Sequence, residues 1–388
     1  LRSRFFAAIK KIVYKKAMER VDVTVIGAGV IGLAIAAEIA KPGLNLYILE
    51  KNANHGGGIS SRNSEVIHSG MYYPEGSLKA TLCVTGRQML YDIAVRNKIP
   101  HKKIGKLIVA VKPDEIADIE RLHSNGRKNG IISLSIISKQ QVAKMEPNIK
   151  AYTALHSPDT GIISAHDLMN YYLACALSKK TSIVYHTKVV QIEKEAGGYR
   201  LFTHNAKGES FEFNSAIVIN AAGLESDTIA NMIGGNYHLY YCKGNYCGIS
   251  GVKQGIVQRL IYPVPDNKHR GLGIHLTIDL NGRLKLGPDT IYIPRVENYN
   301  VEAEITDRFY QSARKFLPFL KKENVHPDMA GIRPKLQGPD DDFRDFVIKE
   351  DSPGFINLVG IESPGLTASP AIAKYVKNIL DGTCAPIS

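Results

Sequence analysis

Valines at positions 21, 23 and 25 alternate with Asp22 and Thr24 ahead of Ile26, the period of a strand. Gly27, Gly29 and Gly32 follow within GAGVIG, with Val30 and Ile31 between them, and the apolar run continues as a helix that Lys41-Pro42-Gly43 ends. Leu44 to Leu49 makes a second strand, and Glu50 and Lys51 close the unit. Strand, glycine turn, helix, strand and acid in that order describe a dinucleotide-binding βαβ unit. Gly27 allows the tight turn, Gly29 lets the backbone approach a pyrophosphate, and Gly32 lets the helix pack close to the sheet. The pyrophosphate is expected on the helix N-terminus and the ribose hydroxyls on Glu50, an acid that disfavours a 2′-phosphate. The same window is apolar enough to resemble a membrane span, but Asp22, Glu38 and Pro42 argue against it.

Downstream, the pattern predicts helices over about 78–95, 113–128, 165–179 and 303–320 and strands over 105–111 and 131–137. Three strands are expected within 182–214, with turns at Gly197-Gly198 and Lys207-Gly208. Residues 216–223, AIVINAAG, read as a short buried strand ending in small residues, and 237–294 as strand and turn throughout. Strands near Phe346 and Asn357 precede a last helix opened by Ser363-Pro364-Gly365-Leu366-Thr367. This order implies an α/β protein with a dinucleotide domain built from 18–95, 151–236 and 330–388, and a mixed β-sheet substrate domain from 96–150 and 237–329.

The formal charge of +12 suggests nucleic acid until residues 1–20 are set apart: seven Lys or Arg there face Glu19 alone and carry half of it. The remainder is only mildly basic, and no nucleic-acid partner is expected. Residues 1–17 are basic and amphipathic, read either as an upstream extension before Met18 or as a peripheral contact with an anionic membrane. A cytoplasmic protein, at most peripheral to the inner membrane face, is the expectation. Five cysteines, odd in number and without CxxC spacing, imply a reducing compartment and no metal centre.

The long-range layout resembles the D-amino acid oxidase superfamily, and within it the L-2-hydroxyglutarate dehydrogenase/oxidase family. The resemblance rests on SSRNSEVIHSGMYYPEGSLKA at 60–80, YCKGNYCGISG at 241–251, LIYPVPD at 260–266, GLGIHLTIDLNGRLKLGPDT at 271–290, and GIRPKL and GIESPGLTASPAIA near the end. It covers nearly the whole chain from Val21. It implies a two-domain glutathione-reductase-type flavoprotein with a Rossmann-like FAD domain and noncovalent FAD. Carried over by position, the FAD contacts are Gly27, Gly29, Val30, Ile31, Gly32, Glu50, Lys51, Ser60, Ser61, Arg62, Asn63, Val189, Ala222, Gly223, Arg333, Gly360, Ser363, Gly365, Leu366 and Thr367. The chain departs from the family's human-type members at Glu65, where they have Gly, and at Lys243-Gly244-Asn245, where they have Arg-Gly-Asp.

Oxidation of a 2-hydroxy acid needs a base for the hydroxyl proton, cations for the carboxylate, and the α-hydrogen aimed at the flavin. His275 and His68 are the candidate bases, although each also reads as a hydrogen-bonded structural histidine. Arg333 and Lys243 are the candidate cations and Tyr262 a candidate hydroxyl contact. The implied activity is oxidation of a small L-2-hydroxy acid, most simply L-2-hydroxyglutarate, with electrons passing to quinone or oxygen. Two rivals stay open: an amino acid oxidase of the same fold, and a membrane-docked flavin-binding protein with little catalysis.

Overall fold

The computed structural model describes residues 21–265 and 273–383. The leader, with the membrane contact expected of it, lies outside the described residues. Strand β1 (Val21–Ile26) runs parallel to β2 (Leu46–Leu49) on one side and to residues 215–220 of the strand Ser210–Asn220 on the other. Ser182–Val184 and Phe355–Val359 extend the parallel sheet at its two sides. The expected helix forms as α1 (Val30–Ile39). A Cβ on Gly32 would lie 2.0 Å from the Gly27 carbonyl oxygen, so only glycine lets α1 approach β1 this closely. Gly27 itself has φ of 105°, and a Cβ there would meet the Ala221 carbonyl oxygen at 2.5 Å. The turn is thus pinned between two strands by bare backbone.

Leu33, Ile35, Ile48, Leu168 and Ile372 form the main core, where α1 packs with the helices Ala165–Ser178 and Gly365–Leu380. A smaller core holds Ile26, Leu49, Val189, Leu201, Val218 and Phe355, beneath a meander of Thr187–Glu195, Gly198–Asn205 and the first half of Ser210–Asn220. Sequence patterning predicted three strands here; there are four, because His186 takes φ of 54° and breaks the first run.

A second, nine-stranded sheet includes Lys106–Ala110, Tyr240–Ile249, Leu260–Pro263, Leu276–Ile278 and Val325–Lys335, over a core of Leu107, Ile108, Leu155, Ile261, Leu276 and Phe309. Two stretches grouped by sequence with the dinucleotide domain, residues 153–157 and 330–335, belong to strands of this sheet. Thr153–Ser157 lies between Lys106–Ala110 and Ser135–Ser138, and Val325–Lys335 pairs along Tyr240–Ile249. The strand expected at 131–137 is only Ser135–Ser138, and the helix expected to reach 320 ends at Ala313, shortly before Pro318. Among the described residues no helix is long and apolar enough to cross a membrane, and the four described cysteines are free thiols.

Candidate active site

A cavity of about 290 Å³ runs from the glycine turn to the face of the second sheet. At the turn, Val30 N–H donates to Ser60 Oγ at 2.9 Å, and a Cβ on Gly29 would come within 3.1 Å of the same oxygen. Glu50 is buried; Oε2 accepts from Ala28 N–H at 2.9 Å, and Oε1 accepts from Asn52 N–H and Nδ2 at 2.9 and 2.8 Å. The acid therefore braces the turn while still facing the cavity. Lys51 bridges Glu225 and Glu297, both at 3.3 Å. Arg62 lays its guanidinium 4.1 Å over the Tyr299 ring, and its buried Nε has no hydrogen-bond partner.

The far end is built from four strands and two loops. His275, immediately before Leu276–Ile278, is buried, and its ring stacks on Tyr262 at 3.7 Å between centroids. Its Nδ1 lies 2.8 Å from the Gly273 carbonyl oxygen, a contact that only a protonated Nδ1 satisfies, so Nε2 keeps the free lone pair. Burial, reinforced by Lys106 and Arg333 and opposed by the Gly273 carbonyl, pushes the imidazole down to about 3. His68 is held by its backbone N–H, which donates to Thr367 Oγ1 at 2.9 Å, and its Nε2 lies 3.4 Å from Ser363 Oγ. Burial, then Lys106 and His275, holds its imidazole well below the usual range. Both rings are neutral at pH 7.

Arg333 is anchored on strand Val325–Lys335, where Nη2 donates to the Asp289 and Lys243 carbonyls and Nε to the Cys242 carbonyl. Beside it, the Ser64 and Tyr246 hydroxyls lie 2.9 Å apart in the same wall. The turn before the last helix carries Glu362, whose Oε1 sits 3.0 Å from Lys79 Nζ and 3.2 Å from Lys335 Nζ, with all three side chains under 10% exposed. Burial alone would raise this carboxyl, but Lys79, Lys335 and Arg333 outweigh it and hold it below the usual range.

Four of the five residues expected to act on substrate line the cavity: His68, Tyr262, His275 and Arg333. Lys243 does not. Gly244 and Tyr246 do line it, while Lys243, on the strand they share, donates instead to the Asn300 carbonyl. Of the expected FAD contacts, Gly27, Gly29, Val30, Ile31, Glu50, Lys51, Ser60, Arg62, Asn63, Ala222, Gly223, Arg333, Ser363, Gly365 and Leu366 face the cavity. Gly32, Ser61, Val189, Gly360 and Thr367 lie behind it. Gly32 serves helix packing, Ser61 bonds the Gly58 carbonyl, and Val189 is core. A Cβ on Gly360 would strike Leu336, and Thr367 ties the last helix to His68 and Val66. Sequence reasoning missed Lys106, Lys79, Lys335 and Glu362. The available signal was a lysine opening the otherwise apolar strand KLIVA.

A dinucleotide sheet with a parallel centre joined to a second sheet, with a glycine-walled cavity between them, defines a two-domain flavoprotein. Bare backbone at Gly27, Gly29, Gly57 and Gly223, together with the orphaned Arg62 Nε, fits a flat ring system carrying an anionic diphosphate. The chain belongs to the FAD dependent oxidoreductase family, which matches residues 22–379. It is 38% identical to the mitochondrial L-2-hydroxyglutarate dehydrogenase of Arabidopsis thaliana over 93% of this chain and 84% of that protein. It is 33% identical to a glycerol 3-phosphate dehydrogenase of Caloramator mitchellensis over 92% and 73% of the two chains. Among solved structures, the FAD-bound L-alpha-glycerophosphate oxidase of Mycoplasma pneumoniae matches with a TM-score of 0.84 at 26% identity, covering 94% of this chain and 95% of that one. The protein is an FAD-dependent oxidoreductase.

Proposed function

We propose that the protein oxidises a small L-2-hydroxy acid, L-2-hydroxyglutarate foremost, to the 2-oxo acid. The observation that carries this reading is a neutral histidine with a free Nε2, set in the same cavity end as a half-buried guanidinium. FAD, when bound, supplies the acceptor for a hydride from the carbinol carbon. Arg333, held by backbone carbonyls through Nε and Nη2, receives the neighbouring carboxylate with its charge and its remaining Nη1 donors. The Ser64 and Tyr246 hydroxyls offer hydrogen bonds to the rest of the substrate. His275 Nε2 takes the hydroxyl proton as the carbon loses its hydrogen with two electrons, and the C–O bond becomes a carbonyl. His68, tied to the start of the last helix, orients the wall beside it. Gly27, Gly29, Glu50 and Arg62 hold the dinucleotide.

The electrons then pass to quinone or oxygen. Delivery to quinone accords with a cytoplasmic protein that meets the inner membrane face through its basic residues 1–17. Support for the substrate comes from the cationic end of the cavity and from the Arabidopsis relative named for L-2-hydroxyglutarate. The test is anaerobic flavin bleaching by L-2-hydroxyglutarate, D-2-hydroxyglutarate, lactate, glycine and glycerol 3-phosphate. L-2-hydroxyglutarate is expected to bleach fastest. Faster bleaching by glycine would assign the site to an amine oxidase, and faster bleaching by glycerol 3-phosphate to a polyol phosphate.

A further inference from the structure

Lys106 opens a strand in which every residue is buried, and its own side chain is 0% exposed. Its ammonium has no hydrogen-bond partner, and no ion pair reaches it among the described residues. Nζ sits 4.7 Å from the centroid of the Tyr72 ring and 4.6 Å from that of Tyr262. Tyr262 in turn stacks on His275. Two more orphaned polar atoms belong to the same neighbourhood, His68 Nδ1 and the Tyr72 hydroxyl. A buried unpaired charge costs several kcal/mol, of which ring contacts return only a part. A methionine would fill the same volume without that cost. A lysine kept here at the expense of stability points to the chemistry next to it.

The groups facing this ammonium come from every neighbouring element. Cys83 approaches from the helix Leu78–Arg96, His68 and Tyr72 from the loop after Val66–Ile67, Tyr262 from Leu260–Pro263, and His275 from the start of Leu276–Ile278. Burial pushes the Cys83 thiol up to about 12 and raises both tyrosines further, so none of these carries a negative charge at neutral pH. Glu362 is held by Lys79 and Lys335. The charges acting on the histidine pair are therefore those of Lys106 and Arg333.

We propose that Lys106 is a positioning residue for the oxidation: its charge, set between the Tyr72 and Tyr262 rings and next to the ring that stacks on His275, adds to burial in shaping the site from which His275 Nε2 takes the hydroxyl proton. The inference rests on the 2-hydroxy acid reading, which names that proton. Lys106 itself is pushed down to about 7 by burial, so its influence is full below neutrality and fades above it.

The experiment uses holoenzyme with Lys106→Met and, as a second neutral variant, Lys106→Gln. The first readout is the pH profile of anaerobic flavin reduction; the second is the titration of the histidine rings by 15N NMR without substrate. In both variants the acidic limb is expected to move up by about one pH unit, making reduction on that limb about tenfold slower, with convergence on the parent once the pH has risen past the limb. The histidine titrations should move in the same direction. Superimposable profiles and unmoved titrations would overturn the proposal, and so would a loss of rate that is uniform with pH. Titrations that move in an enzyme that ignores 2-hydroxy acids would leave the electrostatic role standing and refute the substrate reading instead. A neutral variant that purifies unfolded would also overturn it, because a surplus buried charge is expected to be dispensable for folding.

Discussion

Glu362→Gln removes one negative charge from between two buried ammonium groups while keeping the side chain's shape. Lys79 Nζ and Lys335 Nζ lie 3.0 and 3.2 Å from the same carboxylate oxygen. Lys79 also donates to the Arg344 carbonyl at 3.0 Å, so its ammonium stays in place when the acid is gone. At an effective interior dielectric constant of about 20, each contact is worth roughly 5 kcal/mol of Coulomb energy, much of it offset by the desolvation of the three groups. Breaking a buried network by removing one partner costs about 3–5 kcal/mol, since the charges left behind are unpaired. With about 2 cal/mol/K of unfolding entropy per residue over 388 residues, a loss of about 4 kcal/mol lowers Tm by roughly 5 °C. The effect has a pH window. The Glu362 carboxyl lies below its ordinary 4.5 in the folded state, so its contribution is fully present above that value and fades as pH falls through the folded value. Thermal unfolding of parent and variant from pH 7 to pH 3.5, followed by tyrosine fluorescence and by flavin release, tests this. A Tm difference under 1 °C at pH 7, or one undiminished at the lowest pH, would show that the Glu362 carboxylate does not hold the two lysines in place.

Three further outcomes follow from the site. Gly29→Val places a branched side chain where even a Cβ comes within 3.1 Å of Ser60 Oγ, and the protein should purify colourless; a yellow variant would remove this loop from the cofactor site. His275→Ala should slow flavin reduction at saturating substrate by roughly 10²-fold, the scale of lost general-base help, and stopped flow at the parent's rate would clear His275 of that role. Arg333→Lys keeps the charge but loses the backbone anchoring through Nε and Nη2 and the Nη1 donors, so steady-state kinetics should show KM rising more than kcat falls, and an unchanged KM would place the carboxylate elsewhere.

The first βαβ unit was legible because its chemistry is local. A Cβ at Gly32 or Gly27 collides with backbone only a few residues away or on the adjacent strand, and no other residue type satisfies both positions. Helix Leu78–Arg96 was legible for the same reason, with Ser77 as its N-cap accepting from Ala80 N–H. Sheet membership was not. Thr153–Ser157 and Val325–Lys335 stood out neither as strands nor as members of this sheet, because which sheet a segment joins depends on partners far along the chain. Lys243 shows the cost of a motif without a face: one step along the strand separates the cavity wall at Gly244 from a contact with Asn300. Lys106 and Glu362 were hidden because a charged residue in sequence reads as exposed, and only packing reveals that these two are enclosed.

Oxidation of L-2-hydroxyglutarate in this cavity takes the hydrogen from the carbinol carbon. The most direct measurement is anaerobic stopped-flow mixing of holoenzyme with L-2-hydroxyglutarate carrying hydrogen or deuterium at that carbon, with 2-oxoglutarate quantified after one turnover. Flavin bleaching is expected to slow with deuterium, to yield one 2-oxoglutarate per flavin, and to be absent with the D enantiomer. An unbleached flavin at saturating L-2-hydroxyglutarate, in protein that is fully loaded with FAD and reducible by dithionite, would contradict it.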